Sequence, residues 1–117
     1  MDKMELENRL IEFSINVSEC ILSLEKHPTV NHLKDQVIRS STASALNYAE
    51  AQGAESKKDC IHKLGIVVKE LRETKVNLRI INRFSASSDE SLLELIQEND
   101  ELIAIFYKTI MTAKKNA

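Results

Sequence analysis

The chain has 117 residues, of which 43% are hydrophobic and 29% are charged, and its formal net charge is −2. This length and balance suit one domain with a modest buried core, and they exclude a disordered chain. Two glycines and one proline are too few for the many turns of a β-rich fold. Because no apolar run approaches the ~18 residues of a membrane span and the N-terminus is too charged for a signal peptide, we expect a cytoplasmic protein without a membrane segment.

The first two helices are predicted at residues 3–26 and 31–52. In the first, apolar residues recur at alternating spacings of four and three, which is typical of a helix that packs on other helices. Pro28 ends this pattern, because proline restricts the residue before it. The second helix contains a run of small side chains, 40–45, which predicts close approach to its neighbours. Gly53 is expected to end it in a left-handed conformation.

The last two helices are predicted at residues 56–84 and 89–114. Ser87 with Glu90 forms a capping-box pattern before the fourth helix. Four helices joined by short links predict an all-α fold, an antiparallel up-down-up-down four-helix bundle. We expect this bundle to occupy residues 1–117 as a single domain.

The third helix carries two features that its inner apolar row does not explain. Gly65 lies in mid-helix, where glycine costs ~1 kcal/mol relative to alanine, so we expect a close helix contact there. Several apolar residues also lie off the inner row, which indicates a central position or a subunit interface. These residues are Ile66, Val67, Val76 and Ile80.

Charge is unevenly distributed between the last two helices. Residues 57–83 hold eight basic and three acidic side chains, a balance of +5, whereas residues 86–107 hold six acidic side chains and no basic one. Pairing between the two helices is the expected outcome, and binding of RNA or another partner is the alternative. With few aromatic residues for base stacking, such binding should be directed at the RNA backbone and sensitive to salt. The candidate binding residues are Lys58, Lys69, Arg72, Lys75, Arg79 and Arg83.

Polar side chains at core spacing predict a structural hydrogen-bond network between the second and third helices. Buried polar groups are costly unless each finds a partner, and such networks can fix helix register. The alternative is that these residues form a site for a ligand or a partner. The predicted members are Arg39, Ser40, Asn47, Glu50, Glu70 and Glu73.

The chain shows no pattern for catalysis, a cofactor or a metal. Asp59 and His62 form a single acid-x-x-His pair, whereas di-metal bundles need two. Cys20 and Cys60 lack metal spacing, so we expect two reduced thiols. There is no glycine-rich phosphate loop. We therefore expect no enzyme activity, and no small-molecule substrate is evident.

One stretch of the chain resembles a known family in the order, spacing and identity of its residues. The matching motifs are Arg39-Ser40, Thr42, Asn47-Tyr48-x-Glu50-Ala51, Ala54-Glu55-Ser56-Lys57-Lys58-Asp59, His62-Lys63-Leu64 and Lys69-Glu70-x-Arg72-Glu73-Thr74. They resemble the four-helix-bundle proteins of the 23S rRNA intervening-sequence family, also called the S23 family. The resemblance implies a bacterial, cytosolic, ring-shaped homopentamer with no established enzyme activity. The accessory protein of diversity-generating retroelements, a basic pentamer that works with a reverse transcriptase and nucleic acid, is a more distant likeness.

The chain departs from the family pattern in three places. Ala43 and Ser44 stand where a serine and an isoleucine are more common, and Val76-Asn77 replaces a common aromatic pair. The sequence pI of about 5.9 does not match the strongly basic retroelement protein.

The expected function is a non-enzymatic, homo-oligomeric scaffold or interaction module with RNA or a nucleic-acid enzyme as its partner. The alternative is a protein-binding adaptor with no nucleic-acid role.

Overall fold

Four α-helices make up the part of the chain that the computed structural model describes, residues 1–85 and 90–116, and these residues contain no strand. The helices are α1 (Lys3–Ser23), α2 (Pro28–Gln52), α3 (Lys57–Phe84) and α4 (Glu90–Lys115). The all-α prediction is therefore confirmed. The capping pattern of Ser87 with Glu90 lies outside the described residues. None of the described helices is long and apolar enough to span a membrane.

The link between α1 and α2 is placed differently from the prediction. α1 already ends at Ser23, where Leu24 turns to extended backbone and its amide donates to the carbonyl of Ile21. α2 begins at Pro28 rather than at residue 31, because His27 caps it: His27 Nδ1 accepts from the amide of Thr29 at 3.2 Å. Proline suits the first turn of a helix, where its missing N–H has no partner to lose.

The end of α2 also differs from the prediction in its backbone conformation. Gly53 has a φ of −97°, so the expected left-handed conformation is wrong. Its amide instead donates to the carbonyls of Ala49 and Glu50, at 3.4 and 3.1 Å. These bonds satisfy the end of the helix without the positive φ that favours glycine.

The four helices enclose one apolar core. α2 and α3 form the most extensive helix pair, followed by α3 with α4 and α1 with α2, and α4 also contacts α1. The Tyr48 ring meets the Phe106 ring edge-on with centroids 5.2 Å apart. The largest fully buried side chains are Phe13, Phe106, Leu10, Ile21, Leu71, Leu78, Ile81, Leu92, Leu102, Val17, Val37 and Val67.

The centre of α2 is closely packed, as its small side chains predicted. Ser40, Ser41 and Ser44 are fully buried. The hydroxyls of Ser41 and Ser44 donate to carbonyls one turn earlier in the same helix, at 3.1 and 2.6 Å, whereas that of Ser40 lies 2.6 Å from the hydroxyl of Thr74 on α3. All three hydroxyls thus have partners, and the small size of the side chains lets α3 approach.

Candidate partner-binding face of α3

A polar cluster joins α2 to α3 through an ion pair and a hydroxyl pair. Arg39 donates through Nη1 to Glu70 Oε2 at 2.9 Å, and its other terminal nitrogen donates to Glu73. The hydroxyls of Ser40 and Thr74 are 2.6 Å apart. Thr74 also donates to the carbonyl of Glu70 at 2.8 Å, so each buried polar group has a partner.

Arg39 forms a stable ion pair with Glu70 and Glu73, as the direction of its pKa shift indicates. Desolvation lowers the pKa of Arg39, but its hydrogen bonds to Glu70 and Glu73 raise the pKa further, and the net shift is upward. The Glu70 side chain is 9% exposed and that of Arg39 is 55% exposed. The pair therefore sits at the edge of the helix interface, where it holds α2 and α3 in register.

Two of the six predicted network members lie outside the cluster. Asn47 donates to the carbonyl of Ala43 in its own helix at 2.8 Å. Glu50 is exposed and lies 3.9 Å from Lys63 Nζ. Helical spacing alone grouped these residues with Ser40, but the side chain of α3 that faces Glu50 is a lysine rather than a glutamate.

A buried asparagine of α4 joins the packed face of α3, and the sequence reasoning missed it. Asn99 is fully buried, and in the orientation that satisfies its amide it donates to the carbonyl of Leu71 and accepts from the amide of Lys75, both at 3.0 Å. Its place at core spacing between Leu95 and Leu102 was the available signal. Asn77, on α3, has a buried Nδ2 without a partner among the described residues.

The opposite side of α3 carries the basic residues singled out in the sequence. We call Lys58, Lys69, Arg72, Lys75, Arg79 and Arg83 the outer basic face. All are exposed except Lys75, which is half-buried and pairs with Asp100 at 2.7 Å. Arg72 donates to the Tyr107 hydroxyl at 2.7 Å. Among the described residues, the five exposed members have no carboxylate partner.

Two acids of α4, Glu98 and Glu101, contact α1 instead. Glu98 receives a bidentate hydrogen bond from Arg9, at 2.6 and 2.8 Å, and Glu101 lies 3.3 Å from the same guanidinium. The hydrogen bond to Glu98 is the main reason that the pKa of Arg9 is raised. The expected pairing of α3 with α4 therefore holds at Lys75, and most of the outer basic face is left open to solvent.

Two further expectations about α3 are corrected. Gly65 makes no close helix contact: it is exposed, and a Cβ added there would meet no atom within 4 Å. It lies on the outer basic face between Lys58 and Lys69, where it adds no side chain. Val67, taken as an off-row residue, is fully buried, whereas Val76 and Ile80 are exposed.

The residues considered for metal binding do not come together in the described part of the chain. No group of three or more His, Cys, Asp or Glu side chains is placed there to hold a metal ion. Cys20 and Cys60 are half-buried and are not joined in a disulfide.

Comparison with known proteins gives a family and a solved structure of similar fold. The model of the 23S rRNA-intervening sequence protein family matches residues 2–108. In fold, the chain is similar to a crystal structure of a protein with unknown function from the S23 ribosomal protein family of Bacteroides thetaiotaomicron, with a TM-score of 0.84 and 24% identity. That similarity covers 95% of this chain and 99% of the other, and at this identity it shows a shared fold only. No curated protein matches the chain.

Proposed function

The chain belongs to the 23S rRNA-intervening sequence protein family, and from this premise we propose that it is a non-enzymatic, homo-oligomeric scaffold that binds the backbone of structured RNA. The observation that carries the proposal is the outer basic face, where five exposed cations share one helical face without a carboxylate partner among the described residues. Exposed charges that make no internal pair remain available to phosphates.

The mode of binding follows from the side chains on this face. Lysine and arginine neutralise phosphates and release counterions, which makes affinity fall as salt rises. Gly65 has no side chain and its surroundings are open, so a phosphate backbone can approach α3 there. Aromatic residues form only 4% of the chain, so stacking on bases contributes little. Repetition of the face in an oligomer would multiply a weak electrostatic contact.

The same proposal includes the topology and the assembly. An antiparallel up-down-up-down arrangement is supported by contacts whose order reverses between neighbouring helices: Arg39 bonds Glu70, whereas the later Glu50 approaches the earlier Lys63. Lys57 bonds the backbone of Asn116, whereas Lys75 pairs with Asp100. We propose that such bundles assemble into a ring, a pentamer by family resemblance, in the bacterial cytoplasm.

The test is an RNA titration with matched charge reversals. A fluorescent fragment of structured ribosomal RNA is titrated with protein at low and near-physiological salt. We expect Lys58→Glu/Lys69→Glu to weaken binding by at least about tenfold and to reduce the slope of affinity against salt. Lys26→Glu/Lys108→Glu makes the same change in net charge away from α3. Equal losses in both variants, or wild-type binding that vanishes at near-physiological salt, would contradict the proposal.

A protein-binding adaptor with no nucleic-acid role is the second candidate. It is favoured by the exposed apolar residues Val76 and Ile80, which lie beside Arg79 and Arg83. Charge reversal of Lys58 and Lys69, which do not line the groove around Val76 and Ile80, separates the two candidates, because RNA binding should collapse while an apolar protein contact persists.

A further inference from the structure

An open groove of about 460 Å³ lies between the end of α3 and the start of α4. Four of its seven lining residues are apolar, and two of these, Val76 and Ile80, are 53% and 37% exposed. Two of the lining residues are arginines. The lining residues are Val76, Arg79, Ile80, Asn82, Arg83, Leu93 and Ile96. We call this the basic groove, because its lining combines apolar side chains with two positive charges.

The outer side of α1 carries the complementary pattern. Ile11, Ile15 and Leu22 fall on one helical face and are 39%, 42% and 70% exposed. We call these three residues the α1 ridge. Glu12 and Glu19 are exposed beside them. The ridge is therefore apolar with a negative border, opposite in sign to the basic groove.

The two surfaces lie at the same level of the bundle. Glu19 and Cys20 of α1 line a cleft together with Ser91 and Leu95 of α4, so the second half of α1 lies beside the first turns of α4. The basic groove uses those same turns of α4. Copies that stand side by side with parallel axes would thus bring the end of one α1 ridge to the height of the next copy's groove.

We propose that the α1 ridge of one copy docks in the basic groove of a second copy, with Glu12 and Glu19 facing Arg79 and Arg83. Apolar contact removes exposed surface from water, and the opposite charges select this pairing over ridge with ridge or groove with groove. The inference rests on the proposed homo-oligomer and names its interface. It assigns Arg79 and Arg83 to protein contact, which leaves Lys58, Lys69 and Arg72 for RNA.

An interface of this kind is heterologous, since it joins two different surfaces of the same chain. Each copy has one α1 ridge and one basic groove. When two copies bind, one ridge and one groove stay free, and further copies can bind until the ring closes. This distinguishes the proposal from a two-fold dimer, in which one surface meets itself.

The test uses two variants that each break one half of the interface. Ile15→Arg damages the ridge and keeps the groove, whereas Ile80→Glu damages the groove and keeps the ridge. By light scattering after size exclusion, we expect each variant alone to have the mass of a single 13.3 kDa chain. A mixture of the two should give a one-to-one dimer, because the groove of the first accepts the ridge of the second. Leu46→Arg, at an exposed leucine of α2, is the control and should keep the wild-type mass.

The outcomes separate this interface from RNA binding. The proposal is overturned if the wild type is a monomer, if either variant keeps the wild-type mass, or if the mixture stays monomeric. Should either variant unfold by circular dichroism, the exposed pair Glu19→Arg and Arg83→Glu replaces them: each alone should lower the mass, and the two in one chain should restore it. Wild-type assembly with no RNA binding would refute the RNA role and leave the interface intact.

Discussion

The two faces of α3 treat polar residues in opposite ways. On the face toward α2, Glu70 and Thr74 are buried and each meets a side chain of the neighbouring helix. On the outer face, Lys69 and Arg79 are exposed and have no carboxylate partner among the described residues. Burying a polar group without a hydrogen-bond partner is costly, whereas an exposed charge is solvated at little cost. The difference shows which polar residues maintain the fold and which remain available to a partner.

The largest expected effect comes from enlarging a side chain on the packed side. Ser44→Leu should destabilise the protein by about 1–3 kcal/mol or more, because a larger side chain at a fully buried position forces neighbouring side chains and backbone to shift. Lys69→Leu, on the outer face, should change the free energy of unfolding by less than about 0.5 kcal/mol. Urea unfolding of the two variants measures the contrast, and similar losses at both positions would remove it.

A stabilising change is expected on the outer face. Gly65→Ala should raise the free energy of unfolding by about 1 kcal/mol, since the site is helical and open and alanine has the better helix propensity. Gly53→Ala, beyond the end of α2, should give a smaller change. Thermal or urea unfolding compares the two. A loss of stability at residue 65 would show that this stretch of α3 is packed rather than open.

The ion pair at the edge of the packed face should make a modest contribution. A double-mutant cycle of Arg39→Ala with Glu70→Ala should give a coupling energy on the order of 1 kcal/mol, because the guanidinium is partly exposed and screened by solvent. The cycle of Glu50→Ala with Lys63→Ala, whose charges are 3.9 Å apart, should couple by less than about 0.3 kcal/mol. Equal couplings would place Arg39 and Glu70 among ordinary surface pairs.

The smallest effect is a pH response from the packed side of α2. Burial, followed by the charge of Glu7, raises the pKa of Tyr48. In the unfolded chain the Tyr48 phenol loses its proton at about pH 10, while in the folded chain it still holds that proton. The resulting stability is present below this pH and is lost as the pH rises through the folded pKa. Urea unfolding across alkaline pH should show this fall, and Tyr48→Phe should flatten it. The exposed-site control Tyr107→Phe retains the fall, because Tyr48 is still present.

Individual residues show which contacts could be predicted from the sequence. The periodic apolar residues of α1 predicted its packed face, and Phe13 and Val17 are indeed buried. Arg39 was grouped with Glu70 and Glu73, and its guanidinium contacts both carboxylates. Asn47 and Glu50 were grouped by the same spacing and lie elsewhere, since spacing within one helix does not say what the neighbouring helix presents.

The helical class, the approximate helix bounds and the family could be read from the chain, because they depend on hydrophobic periodicity, scarce turn residues and the order of motifs. The rotation of each helix about its axis could not, because it depends on contacts between helices that are distant in sequence. That rotation turns Glu98 and Glu101 toward Arg9, leaves Arg79 and Arg83 beside an apolar groove, and buries Asn99 against α3. Net charge along the chain cannot reveal these pairings, because residues a few positions apart on a helix face different neighbours.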